Sequence, residues 1–230
     1  MFGQHGLLLR AGSGALYPDH LAAYDIGAAG GYSGFAKAAA LTNLGTGGAA
    51  YNAAAASLPH EWPVIAGRIV GDGSLNGYSA DALVPILQGG HEATLRLALG
   101  AWTGNPTVYT AYPAAGSGFM NLLVLTNGRL RLRYRNTLNQ DIFSGHDFGI
   151  TGIGGPGFVI GTEYEIRYTL TPTLFNVWVD GVQVIADRAI DLALLDTVFT
   201  VATIGSARTG TGGYSSRFNG ALRNLAFRPL

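Results

Sequence analysis

A long alternation of apolar and polar residues near the centre of the chain constrains the fold most. In residues 163–171 every second side chain is apolar, and polar side chains lie between them. This period of two is typical of a β-strand in a sheet with one buried face. A second alternating run at residues 175–179 leads into Asp180-Gly181, a dipeptide that favours the tight turn of a β-hairpin. The pattern therefore predicts an all-β fold.

The charge and cysteine content exclude several kinds of partner. The 230 residues include 14 basic and 14 acidic side chains, so the chain has no net positive field that attracts nucleic acid. There is no cysteine, which excludes disulfides and thiolate metal sites. No apolar run approaches the roughly 18 residues of a membrane span, and the N-terminus lacks the pattern of a secretion signal. We expect no nucleic-acid partner and no membrane insertion.

After the first quarter of the chain, short strand patterns recur at the spacing of a β-sandwich. Residues 82–87 are among the predicted strands, and Asn127-Gly128 and Asn219-Gly220 are predicted turns. Residues 27–57 are dominated by alanine and glycine, and we predict an irregular loop there. Residues 187–196 have the apolar spacing of a helical turn.

The chain shows no repeat of fixed period and no linker, so we predict a single large domain. Residues 1–19 are short, glycine-rich and mixed in polarity. They are predicted to form an N-terminal arm or an edge strand. Residues 20–230 are predicted to form the β-sandwich.

Several motifs follow one another along the chain: Tyr24-Asp25, the glycine-rich residues 43–48, Val179-Asp180-Gly181, Ile204-Gly205 and the closing strand at residues 218–227. In this order they resemble the motifs of a laminin-G-like domain of the concanavalin A-like lectin and glucanase type. The resemblance implies an antiparallel two-sheet jelly-roll sandwich. It also implies sugar binding in the loops at the rim of the sandwich, and such domains are found in phage tail and virion proteins.

Glycanases that resemble this fold carry acidic residues at alternating strand positions, typically Glu-x-Asp-x-x-Glu. The nearest match is Glu163-Tyr164-Glu165, which lacks the third acid. Arg167 on the same strand face would hold Glu165 ionised, which opposes a role as a general acid. We therefore expect no catalytic residue and no enzyme activity, with a glycanase or lyase as the less favoured alternative.

The same strand face has a second interpretation, because arginine alternates with apolar residues in the segment 129–135. If the two strands are neighbours, Glu163 and Glu165 lie opposite Arg135 and Arg133. The favoured interpretation is a ladder of cross-strand ion pairs on the outside of the sheet. The alternative is a basic groove for an anionic polysaccharide or a phosphate.

Aromatic faces that stack on sugar rings, with polar side chains beside them, mark the candidate glycan-binding residues. Two loops and one further tyrosine contain them: Trp102, Asn105, Tyr109, Tyr112, Tyr78, Arg208, Tyr214 and Arg217. Inward packing or a subunit contact is the alternative for each aromatic residue. No cofactor is expected apart from one calcium ion, which laminin-G-like domains can hold. The weak candidates for its ligands are Asp72 and Asp147.

The biological setting is predicted from the resemblance together with the lack of cysteine and of a secretion signal. The leading hypothesis is a virion structural protein of a phage or phage-like particle: a tail fibre, a tail tip or a capsid-decorating subunit. Its expected partners are a host surface polysaccharide, other virion proteins and copies of itself, with a trimer as one form. The alternative is a cellular carbohydrate-binding lectin module, which would be extracellular.

Overall fold

A computed structural model describes residues 17–34, 37–56, 61–74, 76–115, 117–142, 147–208 and 214–230. The first part of the chain contains the strands β1 (Ala22–Asp25), β2 (Tyr32–Ser33), β3 (Lys37–Ala38), β4 (Ala40–Leu41), β5 (Ala53–Ala55), β6 (Trp62–Ile65), β7 (Arg68–Asp72) and β8 (Tyr78–Ser79). One short helix, α1 (Val84–Gln88), follows β8. It is too short to span a membrane, and no helix among the described residues is long and apolar enough to do so.

The described residues after α1 are almost entirely in strands and turns. Its strands are β9 (His91–Leu99), β10 (Thr107–Tyr112), β11 (Phe119–Val124), β12 (Leu130–Arg135), β13 (Asp147–Gly149), β14 (Gly152–Ile153), β15 (Glu163–Leu170), β16 (Leu174–Val179), β17 (Val182–Ala189), β18 (Val201–Ile204), β19 (Ala207–Arg208), β20 (Tyr214–Ser215) and β21 (Asn219–Pro229). The predicted all-β class is therefore confirmed.

The strands form two large antiparallel sheets. The first sheet has the order β17-β16-β15-β9-β21-β7-β6-β3, and β1 also pairs with β21. The second has the order β14-β13-β12-β11-β10-β18-β8-β5-β4-β2, and β19 and β20 form a separate small hairpin. Each sheet combines consecutive strands with neighbours that are distant in sequence, such as β9 with β21 and β10 with β18, as in a jelly-roll sandwich. The predicted fold class is confirmed.

The two sheets bury their inner faces against each other. Along β15 buried and partly exposed residues alternate over the whole strand, as the sequence predicted. Aromatic rings make the contact between the sheets: Phe148 of the second sheet lies 6.4 Å from Phe175 of the first, between ring centres. Tyr109 of the second sheet similarly meets Phe227 of the first edge-on at 5.3 Å. The sandwich is therefore held together by a continuous apolar core.

Trp62 organises one end of this core. Its ring is fully buried and stacks on Phe218, with 6.1 Å between the ring centres. Its indole N–H donates to the Asn76 carbonyl at 2.9 Å. Gly205 has a positive φ of 81°, and a Cβ at that position would come within 2.3 Å of the Trp62 ring. The glycine of the Ile-Gly motif is thus required by both its backbone conformation and the space that Trp62 occupies.

Three sequence-based assignments differ from the structure. Residues 82–87 lie in a 3₁₀ turn and in helix α1 instead of a strand. A short apolar run does not by itself distinguish a strand from a helix, and a proline suits the first turn of a helix. Asn219-Gly220 lies inside β21, where a Cβ on Gly220 would come within 2.3 Å of the Ala98 carbonyl oxygen. Residues 27–57 contain short strands in place of an irregular loop.

Two other predictions hold. Asp180-Gly181 has positive φ at both residues, 48° and 79°, as a primed hairpin turn requires. A 3₁₀ turn, Leu192–Leu194, lies within the segment predicted to make a helical turn. Of the predicted N-terminal arm only residues 17–19 are among those described, and the Tyr17 hydroxyl there donates to Asp25 on the first sheet. The domain boundary stays a prediction.

Candidate functional site

A groove lies on the outer face of the second sheet, over strands β10, β11 and β12. Thr110, Asn121 and Arg133 are in register across these strands, while the residues next to them along each strand point into the core. The groove is lined by Asn105, Thr107, Thr110, Tyr112, Pro113, Ala114, Ala115, Gly118, Phe119, Asn121, Leu123, Arg133, Ala207 and Ser216. Its volume of about 590 Å³ is within the range of small-molecule sites.

Arginine side chains of β12 set the charge beside the groove. Arg133 donates from Nε and Nη2 to the two carboxylate oxygens of Asp141 at 2.8 and 3.1 Å, and Arg135 donates to the same carboxylate at 2.7 Å. The Cζ atoms of both guanidinium groups lie 5.4 Å from the centre of the Phe119 ring. Two arginines therefore share one carboxylate, and this cluster carries one unbalanced positive charge.

Within this cluster Asp141 stays ionised, and Arg133 has further N–H groups that do not donate to it. Partial burial alone would raise the pKa of Asp141, but the hydrogen bonds and charges of Arg133 and Arg135 outweigh that effect and hold the pKa below its ordinary value. A guanidinium group has five N–H donors, and Asp141 accepts from two of those on Arg133. The remaining donors can bind an anionic group in the groove.

The floor of the groove carries a buried acceptor. Oδ1 of Asn121 is buried and has no hydrogen-bond partner among the residues that the structure describes. Beside it, the hydroxyl of Thr110 donates to the Met120 carbonyl at 2.7 Å. A buried acceptor without a donor is unfavourable, and a ligand hydroxyl or an ordered water that donates to Asn121 would remove that cost.

A second cavity, the rim pocket, adjoins the groove at an edge of the sandwich. It is lined by Asp72, Gly73, Ala101, Trp102, Thr103, Pro106, Ser216, Arg217 and Asn219, and its volume is about 480 Å³. Side-chain hydrogen bonds hold its walls: Asn219 donates to the carbonyl groups of Asp72 and Ala101, and Arg217 donates to Oδ1 of Asn76 at 3.0 Å. Ser216 lines both cavities.

The structure places four of the predicted glycan-binding residues at these two cavities. Trp102 and Arg217 line the rim pocket, and Asn105 and Tyr112 line the groove. Trp102 is half-buried, and its indole N–H donates to the Leu125 carbonyl at 3.2 Å, so the ring is held in place at the rim. The residues predicted from two separate loops thus lie near each other.

For two other candidates the predicted role in glycan binding is wrong. Tyr78 and Tyr109 are fully buried in the core, so neither can contact a ligand at the rim. The segment predicted as a loop contains β10, and a shift in register at Val108 turns Tyr109 inward. The hydroxyl of Tyr78 donates to the Ala38 carbonyl at 2.9 Å. Both tyrosines therefore pack inward, which is the alternative given in the sequence analysis.

Arg208 and Tyr214 pair in register between β19 and β20. The backbone on both sides of residues 209–213 therefore forms a small hairpin. The side chains of Arg208 and Tyr214 lie outside the part of the chain that the structure describes, as do residues 209–213. Their role in binding stays a prediction.

The two calcium candidates lie in different sheets. Oδ1 of Asp72 accepts from the backbone N–H and the hydroxyl of Ser74 at 2.8 and 2.7 Å. Arg131 donates to both carboxylate oxygens of Asp147, and this pairing opposes cation binding there. Calcium requires several oxygen ligands at once. Within the described ranges no group of three or more histidine, aspartate and glutamate side chains is arranged to hold a metal ion.

The predicted ion pairs between β12 and β15 are wrong, because these strands belong to different sheets. Glu163 instead accepts from Arg68 at 2.6 Å and lies 3.7 Å from Arg223, and Glu165 accepts from Arg96. Ion pairs do cover the outer faces of both sheets, but each sheet supplies its own partners. The acids of the first sheet therefore do not neutralise the arginines beside the groove.

A buried polar chain that the sequence did not predict crosses the core. His91 is fully buried, with Nδ1 2.9 Å from the Gly89 carbonyl oxygen and Nε2 2.8 Å from the Tyr168 hydroxyl. A carbonyl only accepts, so Nδ1–H donates and Nε2 of the neutral ring accepts from Tyr168. The Tyr168 oxygen in turn lies within hydrogen-bond distance of the Tyr109 hydroxyl. Burial lowers the pKa of His91 to about 4, against the opposing effect of the Gly89 hydrogen bond.

Comparison with known proteins gives similarity of structure and none of sequence. No protein-family model matches the chain, and no curated protein matches it either. A mutant of Trypanosoma rangeli sialidase that displays trans-sialidase activity is similar in structure, with a TM-score of 0.60 and 13% identity. That match covers 92% of this chain and 31% of the sialidase, so the chain spans about a third of that protein's length.

A second similar structure is a shorter chain, most of which the match covers. The CBM40 of the Ruminococcus gnavus IT-sialidase, solved with α2,6-sialyllactose, matches with a TM-score of 0.52 and 12% identity over 70% of this chain and 90% of its own. At these identities the matches show the fold alone. The fold is a concanavalin A-like jelly-roll sandwich.

Proposed function

We propose that this protein binds acidic glycans in the groove, as a lectin-like module, and does not hydrolyse them. The observation that carries the proposal is the position of Arg133. Its guanidinium lines a groove of sugar-binding size and belongs to the Arg133–Asp141–Arg135 cluster, which has one unbalanced positive charge. An arginine is well suited to bind the carboxylate of an acidic sugar.

The other groove residues fit a sugar ligand. Phe119 lines the groove beneath the guanidinium groups of Arg133 and Arg135, and Asn121 offers an acceptor for a ring hydroxyl. The CBM40 with the same type of fold was solved with α2,6-sialyllactose and, separately, with α2,3-sialyllactose, which are both acidic glycans. This likeness in fold supports a glycan-binding role over an unrelated one.

Binding without hydrolysis is supported by the state of the nearest carboxylate. A glycosidase of the common type needs one carboxyl group that holds a proton at neutral pH. Arg133 and Arg135 lower the pKa of Asp141, which is the opposite of what a general acid needs. The location in a virion and the assembly with other virion proteins stay predictions, as does a homo-oligomer, and a cellular lectin module accounts for the groove equally well.

We expect the protein to bind sialylated glycans on an array, and we expect Arg133→Ala to weaken that binding by about tenfold or more. Arg135 remains bound to Asp141 in this variant, so the turn keeps one of its ion pairs. Arg96→Ala is the matched control, since Arg96 also pairs with one carboxylate but lies on the other sheet. Isothermal titration with 3′-sialyllactose gives the affinities.

Two results would contradict the proposal. One is binding to neutral glycans only, which removes the role of the arginine. The other is an equal loss of affinity in the Arg133→Ala and Arg96→Ala variants, which would place the ligand elsewhere.

A further inference from the structure

The groove and the rim pocket meet along two short segments of chain. Ser216 lines both cavities, and the next residue, Arg217, lines only the rim pocket. Along the other segment, Thr103 and Pro106 line the rim pocket while Asn105 and Thr107 line the groove. At this boundary Asn105 and Ser216 are exposed, while Pro106 and Thr107 are buried.

The boundary between the cavities is fixed by the backbone. The N–H of Thr107 donates to the Ser216 carbonyl at 2.7 Å, which ties β10 to the segment that follows β20. Ser216 is exposed and has a positive φ of 48°. Ser216, which lines both cavities, therefore has a small, exposed side chain at their boundary.

The rim pocket has the chemistry of a second sugar subsite. Trp102 presents a half-buried indole ring that the hydrogen bond to Leu125 holds in place. Arg217 and Asp72 add a donor and an acceptor on the same pocket. A ring with polar groups of both kinds around it suits a neutral sugar, which has an apolar face and hydroxyls at its edge.

We propose that the groove and the rim pocket form one binding path, and that the ligand is an oligosaccharide whose acidic sugar lies at Arg133 and whose chain passes Ser216 to reach Trp102. This inference rests on the proposed function, and it adds the length of the ligand and its direction. Each cavity alone has the volume of a small-molecule site, so a single sugar leaves most of the path empty. A chain that spans both gains affinity because its second contact is intramolecular.

The test compares three probes of increasing length: N-acetylneuraminic acid alone, 3′-sialyllactose and a sialylated pentasaccharide. We expect the pentasaccharide to bind about a hundredfold more tightly than the monosaccharide in the unaltered protein. Trp102→Ala should reduce this gain, taken as the ratio of the pentasaccharide affinity to the monosaccharide affinity in the same variant, by about tenfold. Trp178→Ala is the matched control: that indole is also half-buried, but it lies under Arg167 on the first sheet.

Two variants at Ser216 test the same path without removing the packing of Trp102 against the core. Ser216→Met places an unbranched, bulky side chain at the boundary between the cavities, and Ser216→Gly removes the side chain there and relieves the positive φ. We expect Ser216→Met to reduce the gain from chain length and Ser216→Gly to preserve it.

The outcomes separate this inference from the proposed function. Equal affinity for all three probes, lost in Arg133→Ala, would overturn the binding path and leave acidic-glycan binding intact. A gain from chain length that persists in both Trp102→Ala and Ser216→Met would also overturn the path. Failure of all three probes to bind would overturn both proposals.

Discussion

Between about pH 7 and pH 4 we expect the free energy of unfolding to fall by about 3 kcal/mol more in the unaltered protein than in the His91→Gln variant. His91 is fully buried, and burial lowers its pKa from 6.5 to about 4. Its ring accepts from Tyr168 through Nε2 and donates to Gly89 through Nδ1 in the neutral state. Protonation of Nε2 would remove its role as an acceptor, so the folded state resists it.

The direction follows from the pKa of the two states. Below about pH 6.5 the histidine of the unfolded chain takes up a proton while that of the folded chain does not, so the unfolded state is favoured progressively. The loss continues as the pH falls to about 4, where the folded protein also takes up the proton, and it levels off below that. Glutamine keeps a polar side chain at the position but does not titrate.

Urea unfolding of both proteins at a series of pH values measures the effect. Acidic residues and His20, whose pKa burial also lowers, contribute equally to the two proteins and cancel in the difference. Parallel curves for the unaltered protein and the variant would show that His91 is not the group responsible.

The Asn43→Ala variant is expected to lose about 4 kcal/mol of stability at neutral pH. Oδ1 of this buried asparagine accepts from the N–H groups of Ala23 and Gly45 at 2.7 and 2.9 Å. Its Nδ2 donates to the carbonyl groups of Leu21 and Gly48 at 3.2 and 3.0 Å. All four backbone groups lose that partner in the variant, and those of Ala23 and Gly45 lie in buried surroundings.

A neighbouring residue provides the control for this prediction. Oδ1 of Asn52 accepts a single hydrogen bond, from the backbone N–H of Asn43 at 2.8 Å. Asn52→Ala should therefore cost only about 1 kcal/mol in the same urea unfolding experiment. If the two variants lose the same stability, Asn43 does not organise the glycine-rich loop in the way the hydrogen bonds indicate.

The sequence is sufficient to predict the long strands in which apolar and polar residues alternate strictly. β15 and β12 alternate strictly between apolar and polar residues, and each has its apolar residues in the core. That alternation reports which face a residue occupies, because successive side chains point to opposite faces. It carries no information on which strand lies alongside, and for this reason β12 and β15 were wrongly paired.

The site was harder to predict for the same reason. Trp102 and Arg217 were found from residue type in loops, and the structure brings both to the rim pocket. Asn121 and Thr110 were missed, although each is a polar residue at an outward position between core residues of its strand. Arg133 was interpreted chiefly as a member of an ion-pair ladder. These residues lie together on the floor of the groove only because of the register between β10, β11 and β12.

The most direct test of the account is a map of amide chemical shifts during titration of the ¹⁵N-labelled protein with 3′-sialyllactose. If the groove is the binding surface, the largest changes should fall on Thr110, Asn121 and Arg133 of the second sheet. The amides of Arg96 and Glu165, on the outer face of the first sheet, should stay unchanged. Changes confined to the first sheet, or no changes at saturating ligand, would contradict the claim that this groove binds acidic glycans.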